Sequence, residues 1–142
     1  MPISKILRIF GYYNIYFLTT FCKPRQLFIE LKTNPDHISC PRCGYNDITF
    51  YGIKKRTYRD LSIAKRECYV IYHRQRIKCR YCGVLSEHLS FADNYSRYTR
   101  RFEQYVFELC RLLTVLDVAR HLHLSWDVVK EIDKKYLTKK YR

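Results

Sequence analysis

The chain has 142 residues, 47% of them hydrophobic, and carries a formal net charge of +14. That length allows one domain or two small ones, and that apolar content excludes disorder along most of the chain. The charge points to a polyanionic partner, nucleic acid or an anionic membrane, and its spread (+4 over residues 1–35, +6 over 36–92, +4 over 93–142) describes a long positive face and not a basic tail.

Residues 3–11 predict a short helix. The longest uncharged stretch, 9–22, has 14 residues and contains Asn14 and two threonines, too few apolar residues to span a membrane. Lys5 and Arg8 precede it as they would in a signal peptide, but no small-residue cleavage site follows, so that reading is rejected. Residues 13–21 and 27–31 read as two strands around the turn Lys23-Pro24-Arg25-Gln26. Asn34-Pro35-Asp36 then breaks the pattern.

Two knuckles follow, Cys40-Pro-Arg-Cys43-Gly44 and Cys79-Arg-Tyr-Cys82-Gly83, with 35 residues between them. Each sets two thiolates on one tight turn, closed by a glycine free to take the left-handed conformation and aim its N–H at sulfur. Four soft ligands suit a closed tetrahedral structural zinc site, Cys40, Cys43, Cys79 and Cys82, with a rubredoxin-like iron site as the alternative. The odd total of seven cysteines leaves Cys22, Cys68 and Cys110 isolated, which favours a reducing cytoplasm over a disulfide framework.

Between the knuckles, 48–58 and 67–78 read as strands. In the second, Tyr69, Ile71 and Ile77 fall on one face, and Val70, Tyr72, Arg74, Arg76 and Lys78 on the other, a half-buried strand with one basic side. Lys54, Lys55, Arg56, Lys65 and Arg66 are expected to flank the turn joining these strands, as solvated charges or as contacts to DNA phosphate.

Residues 86–96 look irregular. From Arg97 the period becomes 3.6: Phe102, Tyr105, Val106, Leu109 and Leu113 form an apolar helical stripe, with Cys110 beside it. Thr114 caps a helix over 115–122, and Ser125 caps a second through about Tyr136. Val118, Ala119, Leu122, Leu124, Val129 and Ile132 are the inward set that a DNA-binding helix-turn-helix requires. His123 stands in the turn where glycine is common, at a position expected to have positive φ.

Placed in the major groove, the second helix would present Ser125, Trp126, Asp127, Lys130, Glu131 and Lys134, with Lys139, Lys140 and Arg142 extending the charge. Trp126 and Asp127 also have ordinary structural readings, as a packing residue and as a favourable charge in the first helical turn. The five histidines do not pair with cysteines at ligand spacing, and no phosphate loop or activated nucleophile is evident.

The order of these parts resembles the N-terminal half of bacterial insertion-sequence transposases of the ISL3 family. The residues that carry the likeness are the two knuckles, Tyr58-Arg59-Asp60-Leu61, Arg76-Ile-Lys-Cys79, Tyr98-Thr99-Arg100-Arg101, Val118-Ala119-Arg120-His121-Leu122 and Ser125-Trp126-Asp127-Val128-Val129-Lys130. Ser62 departs from the family's Arg-Asp-Leu-Pro run. The resemblance covers about residues 36–142, and more loosely 1–35, and implies binding to the terminal inverted repeats of a transposable element. Arg100, Arg101, Lys54, Lys55 and Arg56 join the recognition helix as expected DNA contacts. The family's catalytic domain would begin soon after Tyr136, so the chain is expected to bind double-stranded DNA without cutting it.

The expected fold class is therefore α+β: an N-terminal β-rich segment (1–35), a zinc ribbon (36–92) and a helix-turn-helix domain (93–142). The expected partners are DNA, a second copy of the chain or a separately encoded catalytic half, in a prokaryotic, nucleoid-associated cytoplasmic setting. Two other readings are an RNA- or protein-binding zinc ribbon and a repressor of transposition. The 14 tyrosines and 8 phenylalanines could stack on unpaired bases.

Overall fold

The computed structural model describes residues 3–141. Helix α1 (Ile3–Ile9) leads through Gly11, at φ +85°, into an antiparallel pair, β1 (Ile15–Lys23) and β2 (Gln26–Thr33), turning at Pro24-Arg25. The proline break forms one turn of 3-10 helix, Pro35–His37, whose start Asn34 caps by accepting from the Asp36 N–H.

A second hairpin pairs β3 (Ile48–Ile63) with β4 (Arg66–Cys79), and β5 (Gly83–Ser86) folds back onto the end of β4. The sheet order is β1-β2-β4-β3, with β2 parallel to β4. Along one edge of β4, β2 pairs with residues 67–73 and β5 takes over at 76–79. Three helices complete the chain: α2 (Arg100–Leu109), α3 (Val115–Leu122) and α4 (Trp126–Lys140). The architecture is α+β, and among the described residues no helix is long and apolar enough to cross a membrane.

Three apolar clusters hold this together. The largest packs α1 and the loop before α2 on one face of the sheet: Leu7, Tyr12, Leu31, Val70, Tyr72 and Phe91 are among its buried members. The second is the helical core, where Phe102, Val106, Val118, Ala119, Leu122, Val129 and Ile132 meet. The third is small: Ile38, Cys40, Ile77 and Cys79.

The second hairpin departs from the sequence reading. Its strands run on to a two-residue turn, Ala64-Lys65, both at positive φ, so Lys54, Lys55 and Arg56 lie in mid-strand and not beside the turn. The assignment of faces along β4 also changes. Cys68, Val70, Tyr72 and Arg74 are buried on one side, and burial then crosses to Ile77 and Cys79 on the other. Two cores on opposite faces share this strand, so a single alternation could not describe it. β5 follows the second knuckle without a sequence signal of its own, since four residues are too few to show a period. Leu113 leaves the helical stripe and is exposed, because α2 stops at Leu109.

The helix-turn-helix follows the sequence closely. Thr114 and Ser125 cap α3 and α4 by accepting from the N–H groups of Asp117 and Val128. His123 sits at φ +55°, ψ +46°, the left-handed turn expected of it. Helix α4 runs four residues beyond Tyr136.

Candidate metal centre and nucleic-acid interface

The two knuckles flank the ribbon hairpin in the chain, one before β3 and one between β4 and β5, and both stand at its open end, away from the Ala64-Lys65 turn. Antiparallel pairing of Ile48 with Cys79 brings them together. The Sγ atoms of Cys40, Cys43, Cys79 and Cys82 all fall within 4.8 Å of one another, with Cys43 and Cys79 3.6 Å apart. Ligands at about 2.3 Å around a tetrahedral ion stand about 3.8 Å from each other, so this donor set fits one.

Gly44 and Gly83 take φ of +74° and +82°, the left-handed corners the knuckles need. The Gly44 N–H, however, donates to the Cys40 carbonyl at 2.9 Å and not to sulfur. Backbone N–H groups of Cys43 and Arg42 reach the Cys40 thiol instead and bring its pKa down to about 6. Burial and the neighbouring sulfurs push Cys82 up to about 12. Four thiolates crowded together repel, which keeps some of them as thiols, and a divalent cation would displace those protons and neutralise the repulsion. Of the other candidate donors, His37 is exposed in the 3-10 turn and stands outside the sulfur cluster.

On the helical side, α4 turns one face outward. Ser125, Trp126, Asp127, Lys130 and Lys134 are all exposed there. Trp126 is 47% exposed, so it is not a core packing residue, and the Lys130 ammonium lies 4.9 Å from its ring centroid. Trp126, Lys130 and Lys134 recur at i, i+4, i+8 and share this face. Asp127 lines a cavity of about 590 Å³ that also involves Glu131 and the loop carrying Tyr95. Lys139 pairs with Asp93 at 3.7 Å, and Arg142 lies outside the described residues.

The remaining basic residues divide. Strand register sets Lys54 and Arg56 on one face of β3 and Lys55 on the other, where its ammonium lies 3.8 Å from Glu30. Arg100 donates to Asp93 at 2.7 Å and to the carbonyls of Ser90 and Ala92. Arg101 makes a two-pronged pair with Asp60, Nε to Oδ1 at 2.6 Å and Nη2 to Oδ2. Both guanidinium groups thus bind acceptors of this chain, unlike the unpaired outward lysines of α4, although the Arg100 side chain stays 42% exposed.

Asp60 was singled out in the sequence only through the family likeness, yet it is the junction of the fold. Only 1% exposed, it accepts from Arg101, from the Tyr12 and Thr99 hydroxyls and from the Leu61 N–H. These bonds tie the link after α1, strand β3 and the cap of α2 to a single carboxylate. Beside it, Arg59 exchanges backbone bonds with Arg97 and Thr99, and its guanidinium stacks 4.9 Å from the Phe102 ring centroid. The Tyr58-to-Leu61 and Thr99-to-Arg101 motifs are the two halves of the joint that docks the helices on the edge of β3.

Comparison with known proteins agrees with this layout. Residues 36–82 match the zinc-finger of transposase IS204/IS1001/IS1096/IS1165, and residues 87–137 match the helix-turn-helix domain of transposase family ISL3. The chain is 32% identical over 111 residues to the transposase for insertion sequence element IS1001 of Bordetella parapertussis. That match covers 78% of this chain and 27% of the relative, so the chain spans about a quarter of its length. No solved structure matches. With both its sulfur-clamped ribbon and its helical domain matched, the chain belongs to the ISL3 family of transposases.

Proposed function

We propose that this chain binds duplex DNA sequence-specifically, at the terminal inverted repeats of an insertion sequence, and performs no strand chemistry itself. Helix α4 enters the major groove N-terminus first. Ser125 and the helix end meet a phosphate, Lys130 and Lys134 take phosphate or guanine, and Trp126 and Asp127 contribute at the groove. The observation that carries this reading is the exposed Trp126-Lys130-Lys134 face on a capped helix of a helix-turn-helix. Lys54 and Arg56 add sequence-independent attraction. Arg100 and Arg101 serve the fold and are not expected to touch DNA.

The metal is zinc, held by Cys40, Cys43, Cys79 and Cys82 in a structural role, because four thiolates close the coordination sphere. It would fix the ribbon's geometry and leave no open position for a substrate. Segments 1–35, 36–92 and 93–142 remain the proposed units, with a cytoplasmic, nucleoid-associated setting. A second copy or a separately encoded catalytic half is the proposed protein partner.

The test begins with selection of binding sites from a random duplex pool, followed by gel shifts of the selected duplex in rising salt. Enrichment of one motif and affinity that falls steeply with salt are expected. An unenriched pool, or binding indifferent to salt, would refute the proposal. Joined product in a magnesium strand-transfer assay would overturn the absence of catalysis. Metal analysis showing iron in place of zinc would revise the cofactor.

A further inference from the structure

The sheet carries a second cationic site, on the side of the ribbon facing away from the small sulfur-centred core. Arg42 from the first knuckle, Arg56 from β3, and Arg74 and Arg76 from β4 converge on a cavity of about 570 Å³. Its far wall is the loop bearing Asn94 and Tyr95. We infer that this arginine groove, with Tyr95 at its rim, grips the sugar–phosphate backbone of the same duplex whose major groove α4 reads. The inference rests on the DNA-binding reading above and names which side chains outside the helix-turn-helix would hold the duplex.

Three observations carry it. The first is charge without partners. Among the described residues, none of Arg42, Arg56, Arg74 and Arg76 forms a salt bridge, whereas Arg59, Arg80, Arg100, Arg101 and Arg111 each pair with a carboxylate. Arg25, Arg66, Arg97 and Arg120 form none either, but the first four share one cavity. Arg74 is buried, and its bonds go only to neutral acceptors: the Glu87 carbonyl at 3.1 and 2.7 Å, and the Asn94 side-chain oxygen at 3.0 Å. The only carboxylate near Arg74 is that of Glu87, which makes no direct bond to the guanidinium, so an anion entering the groove would find a fork not yet paired to a carboxylate. The Glu87 carboxylate does line the same wall, but its Oε1 accepts from the Tyr72 and Thr33 hydroxyls.

The second observation is Tyr95. It is 94% exposed and held at φ +66°, a left-handed conformation that is unusual for a bulky side chain. The loop that presents it is clamped on both flanks. Before Tyr95, Asn94 is bound by Arg74 from the sheet and Asp93 by Arg100 from α2 and Lys135 from α4; after it, the Arg97 carbonyl accepts from the Arg59 N–H of β3 at 2.9 Å. An aromatic ring displayed on a loop fixed at both ends is preorganised for contact with a partner.

The third is continuity. Asn94 and Tyr95 line both the arginine groove and the cavity beneath α4 that holds Asp127 and Glu131. One loop thus separates the two sites, and a phosphate backbone leaving the groove read by α4 meets the arginines next. Guanidinium groups suit this role because their planar fork matches phosphate oxygens.

The experiment uses the full zinc-loaded chain and a fluorescent mixed-sequence duplex of about 30 base pairs, titrated across a salt series. The variant Arg42→Gln/Arg56→Gln/Arg76→Gln leaves Arg74 in place to protect the fold. It should flatten the slope of log K against log salt by about 2.7, or about 0.9 per lost phosphate contact. Tyr95→Ala should weaken binding about fivefold at unchanged slope, since contact of its ring and hydroxyl with sugar and phosphate oxygen releases no counterion. A charge-matched control, Lys5→Gln/Arg8→Gln/Lys23→Gln, should leave the slope as it was. Retained zinc and melting temperature certify the fold. If the triple variant fails to fold, Arg42→Gln and Arg76→Gln singly should each flatten the slope by about 0.9.

An unchanged slope in the arginine variants, with binding still weakened by Lys130→Gln/Lys134→Gln, sinks the groove and spares the helix reading. Equal flattening by the control reduces the effect to bulk charge and also sinks it. Replacing chloride by inorganic phosphate at equal ionic strength should leave the ratio of wild-type to variant affinity constant. Phosphate competition that vanishes in the triple variant would reassign the groove to a free anion. No binding of wild type to any duplex overturns both readings together.

Discussion

Asp60 is the residue on which the assembly of the parts turns. Burial alone would raise its carboxyl pKa, but hydrogen bonds from Arg101 and Tyr12 and the guanidinium charge hold it below the ordinary value. Replacement by Asn removes the counter-charge of a half-buried Arg101 and leaves its fork without a matching acceptor. Asp60→Asn should therefore cost about 3 kcal/mol, as the breaking of buried ion pairs does. Equilibrium urea unfolding checks this, and a loss below about 1 kcal/mol would contradict it. The pH dependence has a defined sign. A depressed folded pKa gives stability that is complete above the unfolded value, about 3.9, and drains away as pH falls through the lower folded value. Wild type should therefore lose stability below about pH 4, and the Asn variant should lose less over the same interval, measured by melting temperature against pH.

At the scale of elements, the β3–β4 turn is the least optimised part of the chain. Ala64 and Lys65 both take positive φ, at 50° and 63°, where a two-residue hairpin prefers Asn-Gly. Ala64→Asn with Lys65→Gly should raise stability by about 1 kcal/mol, read as a rise of about 3 °C in melting temperature. A fall would mean that the turn's present residues make contacts worth more than their strain. This turn also shows why the sequence reading ends the first strand of the hairpin at Tyr58, short of Ile63. Alanine and lysine carry no turn signal, so the strand pattern could not be followed through Arg59 to Ile63. Helices α3 and α4 were legible because each begins at a side chain with a clear capping chemistry, Thr114 or Ser125, and α2 by its period of 3.6; its cap, Thr99, is seen only in the structure.

For the molecule as a whole, the long strands β3 and β4 pass through two cores and end at the helical joint. Chelation of the metal should therefore have a limited reach. Residues 36–56 and 75–86, which depend on the sulfur cluster, should lose hydrogen-exchange protection. Residues 57–72, anchored by the large cluster and by Asp60, should keep theirs together with the three C-terminal helices. Loss of protection throughout 36–92 would show that metal binding controls the entire ribbon hairpin. Full protection after chelation would remove the structural role of the metal.

The sequence by itself determined the four sulfurs, the helix caps, the left-handed turn at His123 and the inward set of the helix-turn-helix. Each is written in local chemistry: ligand spacing, a hydroxyl before a helix, a period of 3.6. It also determined the family, through motifs spread over most of the chain. Only the tertiary structure decided which charges are free. Arg100 and Arg101 find carboxylates brought from Asp93 and from β3, while Arg42, Arg56 and Arg76 gather without forming a salt bridge. Arginines look alike along a chain; what distinguishes a structural clamp from an open cation is the partner delivered by distant segments, and strand register and core packing set that.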